Sequence, residues 1–357
     1  MPSLGRGIHS GGFIHRAPSR AARPNPGAHG MDMTHEPSAD DQHGVFSGST
    51  SSLTKSGLEH AVTRGRLVRL RRDLYVSADS YAAADSSPSA ARARLRQHSV
   101  AAALAVRDAA ASHRSGAVLS GVPIWSWQSQ RPCITVPQGR DTGGLASHAH
   151  RARLPAEHVV DGRVPRTALR RTILDLAREH GVADAVVAGD FALHEGWVTP
   201  DELRGTAADC GRFPGIKRAR RVIDLLDPRM ESPLESVSRL VLRSISFPEP
   251  TPQVNIYSLD GRFLGRVDNY WDEFGVAGEV DGREKYDGEA SLWDEKRRQD
   301  ELEDAGLVIV RWGMPEVRSP ASLRPKLYAA VARAARRSAE GRGWTAHPAY
   351  PSPLWAA

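Results

Sequence analysis

The segment from Arg262 to Lys285, RFLGRVDNYWDEFGVAGEVDGREK, most constrains the fold of this chain, because it contains two apolar runs that each end in acid. The runs Phe263 to Asp268 and Val276 to Asp281 have the length and alternation of short strands. Side chains repeat every second residue in a strand, so Glu279 and Asp281 lie on one face. The segment therefore predicts two strands that present acidic side chains at one end.

Charged groups at a strand end are costly unless they are solvated, paired or holding a cation. Mg²⁺ and similar hard cations are commonly held by one or two carboxylates together with a substrate phosphate. We predict a Mg²⁺ (or Mn²⁺) site whose ligands are Asp268, Glu279, Asp281 and, through water from a preceding helix, Glu235. A metal there would neutralise a phosphate oxygen and activate water, so the pattern favours phosphodiester hydrolysis. The structural alternative is that Asp268 and Glu279 pair with Arg266 or Arg283 at a solvated sheet end.

Five elements in this region resemble the restriction-endonuclease-like (PD-(D/E)xK) superfamily, and most closely its very-short-patch-repair-like uncharacterised branch. They are, in order, Glu231-Ser-Pro-Leu-Glu235, Arg266-Val-Asp268, Glu279-Val-Asp281-Gly282, Lys296-Arg-Arg-Gln-Asp300 and Leu307-Val-Ile-Val-Arg311-Trp312. The resemblance covers roughly Pro228 to Tyr328. It implies an α/β/α nuclease fold, catalytic roles for Asp268, Glu279 and Asp281, and phosphate contacts from Arg297 and Arg298.

One position departs from the superfamily pattern. The signature has lysine two residues after the acid, where this chain has Asp281. Lys285, beyond the turn at Gly282, is the candidate for the missing catalytic lysine. The departure leaves two hypotheses open, an active nuclease and a silent nuclease-like domain.

Residues 44–78 have the pattern of a small winged helix-turn-helix. Ser56 to Arg64 predicts a helix, and Arg66–Leu70 and Asp73–Val76 predict a tight ribbon. The arginines of this helix end and ribbon suit contact with a phosphate backbone. The predicted DNA-binding residues are Arg64, Arg66, Arg69, Arg71 and Arg72. A plain hairpin with solvated arginines is the alternative, and the Ser-rich stretch Ser47 to Ser52 is poor material for a first helix.

The ribbon GRLVRLRRDLYV resembles the N-terminal domain of AbiEi-family type IV antitoxins. The runs SHRSGAVLSG, ITVP and RTILDLA resemble the middle region of the same proteins. This resemblance implies DNA as a partner and a toxin or other protein as a second partner. It does not indicate an oligomeric state.

Residues 95–227 predict a mixed α/β middle domain. The predicted elements are helices at Leu95–Ala110, Ala111–Leu119 and Thr167–His180, strands at Cys133–Val136 and Ala146–Leu154, and a helix capping box at Thr199–Glu202. Asp175 is expected to pair with Arg171 or Arg178 along its helix. His148 and His150 share a strand face and could hold a metal, but without a third ligand they are interpreted as solvent-facing. His113 is interpreted as a helix-surface polar group.

Composition places the chain among soluble globular proteins, with 40% hydrophobic and 25% charged residues. The formal net charge of +6 permits nucleic-acid binding without requiring it. Two cysteines without a CxxC partner argue against a disulfide framework and favour the cytoplasm. No apolar run approaches the length of a membrane helix. Residues 1–43 are Arg-rich and acid-poor, which can mimic an organelle transit peptide, but a disordered tail or an over-long start with true initiation at Met31 or Met33 is favoured. With such a start, residues 1–30 would not be translated.

The sequence thus predicts a multi-domain α/β protein. Its expected parts are a disordered tail (1–43), a winged helix-turn-helix (44–78), a linker (79–94), a mixed α/β domain (95–227), an endonuclease-like domain (228–334) and a loose tail (335–357). The first functional hypothesis is a Mg²⁺-dependent DNA nuclease of defence or repair. The alternative is a DNA-binding regulator or antitoxin-like protein with a silent nuclease fold. A third is a protein-interaction module without a nucleic-acid role.

Overall fold

The computed structural model describes residues 43–81, 88–126, 131–138, 147–281, 289–337 and 341–351. Within these ranges the chain has eleven α-helices and three β-sheets, which confirms the predicted mixed α/β class. None of the helices in the described part of the chain is long and apolar enough to cross a lipid bilayer. The two cysteines, Cys133 and Cys210, are buried free thiols.

The first sheet holds the predicted ribbon. Its elements are β1 (Phe46–Ser47), α1 (Lys55–Thr63), β2 (Leu67–Arg71) and β3 (Leu74–Ser77), with the antiparallel strand order β1-β3-β2. Helix α1 begins where the Thr54 hydroxyl accepts a hydrogen bond from the Gly57 amide at 3.2 Å. Only a single 3₁₀ turn, Gly48–Thr50, stands where a first helix would lie, as the Ser-rich composition indicated.

The second group of elements surrounds a small mixed sheet. These are α2 (Pro88–Leu104), β4 (Ala110–Ala111), α3 (His113–Leu119), β5 (Cys133–Val136), β6 (His148–Arg151), β7 (Val159–Val160), β8 (Arg166–Thr167), α4 (Leu169–Glu179), α5 (Val182–His194), α6 (Pro200–Asp209) and α7 (Ile216–Ile223). The strand order is β6-β5-β4-β8-β7, with β5 and β6 parallel.

Several predicted boundaries in this group differ from the structure. The predicted helix Leu95–Ala110 ends at Leu104. Residues 88–94, predicted as linker, belong to helix α2, because Ala91 and Leu95 are buried. The predicted helix Ala111–Leu119 begins only at His113, because Ala110 and Ala111 pair with β5 as strand β4. The predicted strand Cys133–Val136 and the capping box of Thr199 with Glu202 are confirmed.

The third group of elements builds a five-stranded sheet. They are α8 (Pro233–Ser244), β9 (Thr251–Ser258), β10 (Phe263–Trp271), β11 (Val276–Asp281), α9 (Glu289–Asp304), β12 (Val308–Gly313), α10 (Met314–Arg318), α11 (Pro320–Arg337) and β13 (Trp344–Pro348). The order is β12-β11-β10-β9-β13, and only the β11–β12 pair is parallel. Apolar side chains of α8 and α11 form one core cluster with the sheet, and Leu302 of α9 belongs to another. The sheet therefore has helices on both faces.

Two tryptophans pack in the core of this group. Trp271 and Trp312 are each 2% exposed, and the Trp312 indole N–H donates to Ser238 Oγ at 3.0 Å. Gly278 permits this packing, because a Cβ there would lie 2.6 Å from the Trp312 ring. The predicted loose tail is wrong for strand β13, whose Trp344 is 7% exposed and packs into the core.

Candidate functional site

The predicted acidic site lies where β10 and β11 diverge. The last paired residues of these strands are Asn269 and Gly278, so Asp268 lies across from Glu279, one residue further along. Asp268 is half-buried, and its Oδ2 accepts a hydrogen bond from the Val280 amide at 2.8 Å. The sequence alternation thus placed these two acids correctly on neighbouring strands. Their side chains, however, meet protein donors.

Glu279 is held between two arginines, each from a different element. Arg298 of α9 donates to Oε1 at 2.9 Å, and the Arg311 Nε of β12 donates to Oε2 at 2.7 Å. The Arg311 Nη1 also donates to Gln299 at 2.8 Å, which fixes the guanidinium. Glu279 is 7% exposed, so this is a largely desolvated ion-pair cluster. The sequence predicted Arg266 or Arg283 as the partner; Arg266 instead pairs with Glu231 at 2.7 Å, and Arg283 lies outside the described residues.

The other predicted ligands do not complete a metal site. Glu235 is 4% exposed and accepts hydrogen bonds from the Glu231 amide at 3.1 Å and Gln253 Nε2 at 2.9 Å. Asp281 is exposed at the end of β11, and Lys285 lies outside the described residues. Within the described ranges, the one group of three His, Cys, Asp or Glu residues with ligand atoms within 4.8 Å of one another consists of histidines.

These contacts test whether the acidic rim fits Mg²⁺. A hard cation needs carboxylate oxygens that are free to coordinate. Both Glu279 oxygens already accept charge-assisted hydrogen bonds, which are among the strongest that proteins make. The described residues at this rim do not fit Mg²⁺. Arg298, predicted to clamp a phosphate, is used to neutralise Glu279, whereas Arg297 is exposed.

The arginines of the basic helix and ribbon that were predicted to contact DNA are exposed, with one exception. Arg64, Arg66, Arg69 and Arg72 are exposed. None of the ion pairs between described residues involves these four. Arg71 is the exception, because it is half-buried and its Nη2 donates to Ser147 Oγ at 3.2 Å. Burial lowers the pKa of Arg71, and its guanidinium faces the protein rather than solvent.

A histidine cluster missed by the sequence analysis lies over the second sheet. His113 begins α3, His150 lies on β6 and His180 directly follows α4. The rings of His113 and His150 stack with centroids 3.6 Å apart, and the His180 ring lies 5.0 Å from that of His113. His148, exposed on the same strand face, stacks on His150 at 4.4 Å.

Two sequence interpretations are corrected here. His150 is 8% exposed and His113 is 1% exposed, so neither faces solvent. The spacing of His148 and His150 correctly indicated a shared strand face. The two partners of His150 were not visible in the sequence, because they come from α3 and from the residue that follows α4, which only the fold brings close to β6.

Glu179, the last residue of α4, organises the cluster. Its Oε2 contacts His150 Nδ1 at 2.5 Å and lies 3.7 Å from His113 Nε2. Burial alone would lower the pKa of His150, but contacts with Cys133 and Glu179 raise it to about 9. Contacts with His113 and His150 hold the pKa of Glu179 well below its usual range. Burial lowers the pKa of His180 to about 3, so this ring is neutral at physiological pH.

Helix α4 is anchored by a buried ion triad next to this cluster. Asp175 accepts from Arg171 Nε at 2.8 Å and from Arg178 Nη1 at 2.7 Å, which confirms the predicted pairing with both candidates. Asp175 and Arg171 are fully buried. Both guanidinium groups also lie 4.9 Å from the Phe213 ring centroid. The triad fixes the end of α4 that carries Glu179.

Comparison with known proteins gives relatives but no family. No protein-family model matches the chain. Over 180 residues it is 32% identical to uncharacterized protein MT2308 of Mycobacterium tuberculosis strain CDC 1551 and, equally, to uncharacterized protein Rv2248 of strain H37Rv. The match covers 50% of this chain and 65% of each relative, so the chain spans less than two thirds of the curated relatives it matches.

Proposed function

We propose that this protein is a DNA-binding regulator of the antitoxin-like kind, whose nuclease-like sheet does not hydrolyse DNA. The observation that carries the proposal is the set of four exposed arginines, Arg64, Arg66, Arg69 and Arg72, on one helix–ribbon unit. Phosphate contacts by Lys and Arg supply most non-specific affinity for duplex DNA. Resemblance of the ribbon to antitoxin domains supports the same reading. A toxin or other protein partner remains a prediction from that resemblance.

The geometry of helix α1 and the ribbon supports a contact with the duplex. Leu58 and Ala61 bury one side of α1, while Lys55, Glu59 and His60 on its other side are exposed. The helix ends at Thr63, and the turn of residues 64–66 leads into β2. Exposed polar helix positions can then read base edges, while neighbouring ribbon arginines position the protein on phosphates.

The ion pairs of Glu279 with Arg298 and Arg311 argue against the nuclease hypothesis. A nuclease of the predicted kind needs this carboxylate on a metal, and here two guanidinium groups take both oxygens. The five motifs of the superfamily resemblance lie on or next to α8, β10, β11, α9 and β12, and the resemblance itself remains a prediction. Fold alone does not imply function, because chemistry depends on the residues of the site.

Fluorescence anisotropy with a labelled duplex over a salt series tests DNA binding. We expect affinity to fall steeply with salt, and Arg66→Gln and Arg69→Gln each to reduce the logarithmic salt slope by about 0.9. The matched control is Arg204→Gln, an exposed arginine on α6 paired with Asp201. Equal slopes for all four proteins would contradict the proposed surface.

A plasmid-nicking assay with Mg²⁺ or Mn²⁺ separates the regulator from the nuclease. We expect no cutting by the wild-type protein. Cutting that Asp268→Ala and Glu279→Ala abolish, with DNA binding retained, would restore the nuclease hypothesis. If the plasmid is not cut and the affinity for the duplex does not depend on salt, the protein-interaction module is favoured.

A further inference from the structure

The structure assigns a second candidate site, and we propose that His113, His150 and His180 bind a borderline divalent transition-metal ion of the Zn²⁺ type. Their ligand nitrogens lie within 4.8 Å of one another, in a group drawn from three separate elements. Imidazole nitrogen suits Zn²⁺, Cu²⁺ and Ni²⁺, whereas Mg²⁺ prefers oxygen. The proposal is independent of DNA binding.

The first support is a pair of buried ring nitrogens that form no hydrogen bond, of which His113 Nε2 lies 3.7 Å from Glu179 Oε2. Within the described residues, Nε2 of His113 and Nε2 of His150 form no hydrogen bond although both atoms are inaccessible to solvent. An unsatisfied buried polar atom costs free energy, so each instance calls for a physical explanation. Two such atoms on stacked rings are explained by a ligand that accepts both lone pairs.

The second support is the orientation of the opposite ring nitrogens. His113 Nδ1 lies 2.9 Å from Ser112 Oγ, and His150 Nδ1 contacts Glu179. A metal-binding histidine usually directs its other ring nitrogen to a carboxylate, carbonyl or hydroxyl, which fixes the tautomer. Both rings thus have a partner on Nδ1, which leaves Nε2 of each ring as the candidate ligand atom. Glu179 is therefore a positioning residue in the proposal.

The third support is a backbone conformation at His113. Its φ of +51° lies in the left-handed region, which residues other than glycine rarely adopt. Such strain costs stability and persists where the surrounding structure enforces it, commonly at functional positions. Here it places an imidazole at the first position of α3, over strand β6.

Metal binding requires a small rearrangement of the rings. Zn–N bonds of about 2.0–2.1 Å bring tetrahedral ligand atoms closer together than the 4.8 Å limit seen here. Parallel rings cannot aim both lone pairs at one point, so His113 and His150 must tilt apart on binding. Three histidines leave a fourth position, next to exposed His148, for water or that ring.

The experiment is a Co²⁺ and Zn²⁺ titration of metal-stripped, full-length protein purified without a histidine tag. We expect one high-affinity ion per chain and the visible absorption of tetrahedral Co²⁺, which Zn²⁺ abolishes. His180→Asn should lower affinity roughly 100-fold or more, and Glu179→Gln about 10- to 100-fold. The matched control is His347→Gln, an exposed histidine on β13, which should change affinity less than about twofold.

Two further measurements keep the assignment falsifiable. The chain has 14 histidines, so weak extra sites are measured as the Co²⁺ binding that survives in His180→Asn. Unfolding of wild-type protein with and without Zn²⁺ requires no variant to fold. Absence of one-to-one binding, or of a melting-temperature rise with Zn²⁺, would overturn the proposal. A thiolate-to-cobalt band lost in Cys133→Ser would overturn the three-histidine ligand set, because Cys133 Sγ lies 4.0 Å from His180 Nε2.

Discussion

The acidic rim at Glu279 and the histidine cluster at His150 differ in how their polar atoms are satisfied. At the rim, carboxylates with the spacing of a metal site are neutralised by Arg298 and Arg311. In the histidine cluster, the spacing along the sequence does not indicate three ligands. Two buried ring nitrogens there nevertheless form no hydrogen bond with the described residues. Residue type and spacing therefore identify candidate ligands. The contacts of their polar atoms in the fold show which of these candidates already have a partner in the protein.

The largest effect is expected at the ion triad that anchors helix α4 beneath the cluster. Asp175→Asn leaves the buried Arg171 and Arg178 without their shared anion, which should lower the free energy of unfolding by about 3–5 kcal/mol. Urea unfolding measures this loss. The control Asp201→Asn removes an exposed pair and should change stability by less than about 1 kcal/mol. Similar losses in the two variants would show that α4 is not anchored in this way.

A smaller effect at Glu279 distinguishes a structural ion pair from a metal ligand. Glu279→Gln weakens two charge-assisted hydrogen bonds and should lower the free energy of unfolding by roughly 1–3 kcal/mol. A set of acids awaiting a metal would respond in the opposite direction, because removing one charge relieves repulsion in the metal-free protein. Denaturant unfolding with and without Mg²⁺ makes the comparison. If the substitution stabilises the protein, or if Mg²⁺ stabilises the wild type alone, Glu279 is a metal ligand and not the centre of a structural ion-pair cluster.

The smallest effect concerns Asp190, a buried carboxylate whose negative charge is only partly balanced by its neighbours. Its Oδ1 accepts from the Asp227 amide at 2.7 Å, but Arg239 lies 3.8 Å from Oδ2. Burial raises the pKa of Asp190 to about 7, against the attraction of Arg239.

Between about pH 4 and 7, the folded protein therefore binds more protons at Asp190 than the unfolded chain does. Its contribution to stability is fully present at low pH and is lost as pH rises through about 7. Asp190→Asn should gain roughly 1–2 kcal/mol relative to wild type between pH 5 and 7. Parallel stability curves for the two proteins over this range would disprove the shifted pKa.

Local signals in the sequence predicted much of the fold. Alternation located β10 and β11, and the capping box located the start of α6. Strand β13 was missed because Trp344–Pro348 is short and ends in proline, although an edge strand tolerates proline where no ladder donor is needed. Helix α2 was partly missed because its first turns are Ala- and Arg-rich and carry little apolar periodicity.

The candidate sites were less predictable, for a physical reason. A carboxylate at a strand end needs a cation, and a pattern of acids cannot tell whether a metal or a guanidinium supplies it. Arg298 and Arg311 come from α9 and β12, so their arrival at Glu279 depends on the packing of the whole sheet. The same holds for His113 and His180, whose approach to His150 depends on how α3 and α4 cover β5 and β6.

The inward turn of Arg71 has a consequence beyond the loss of one phosphate contact. Through Ser147 it joins the tip of the basic ribbon to the residue that precedes His148 on β6. If the ribbon binds DNA and the histidines bind a metal as proposed, any coupling through this contact must be reciprocal, each ligand changing the affinity of the other by an equal factor.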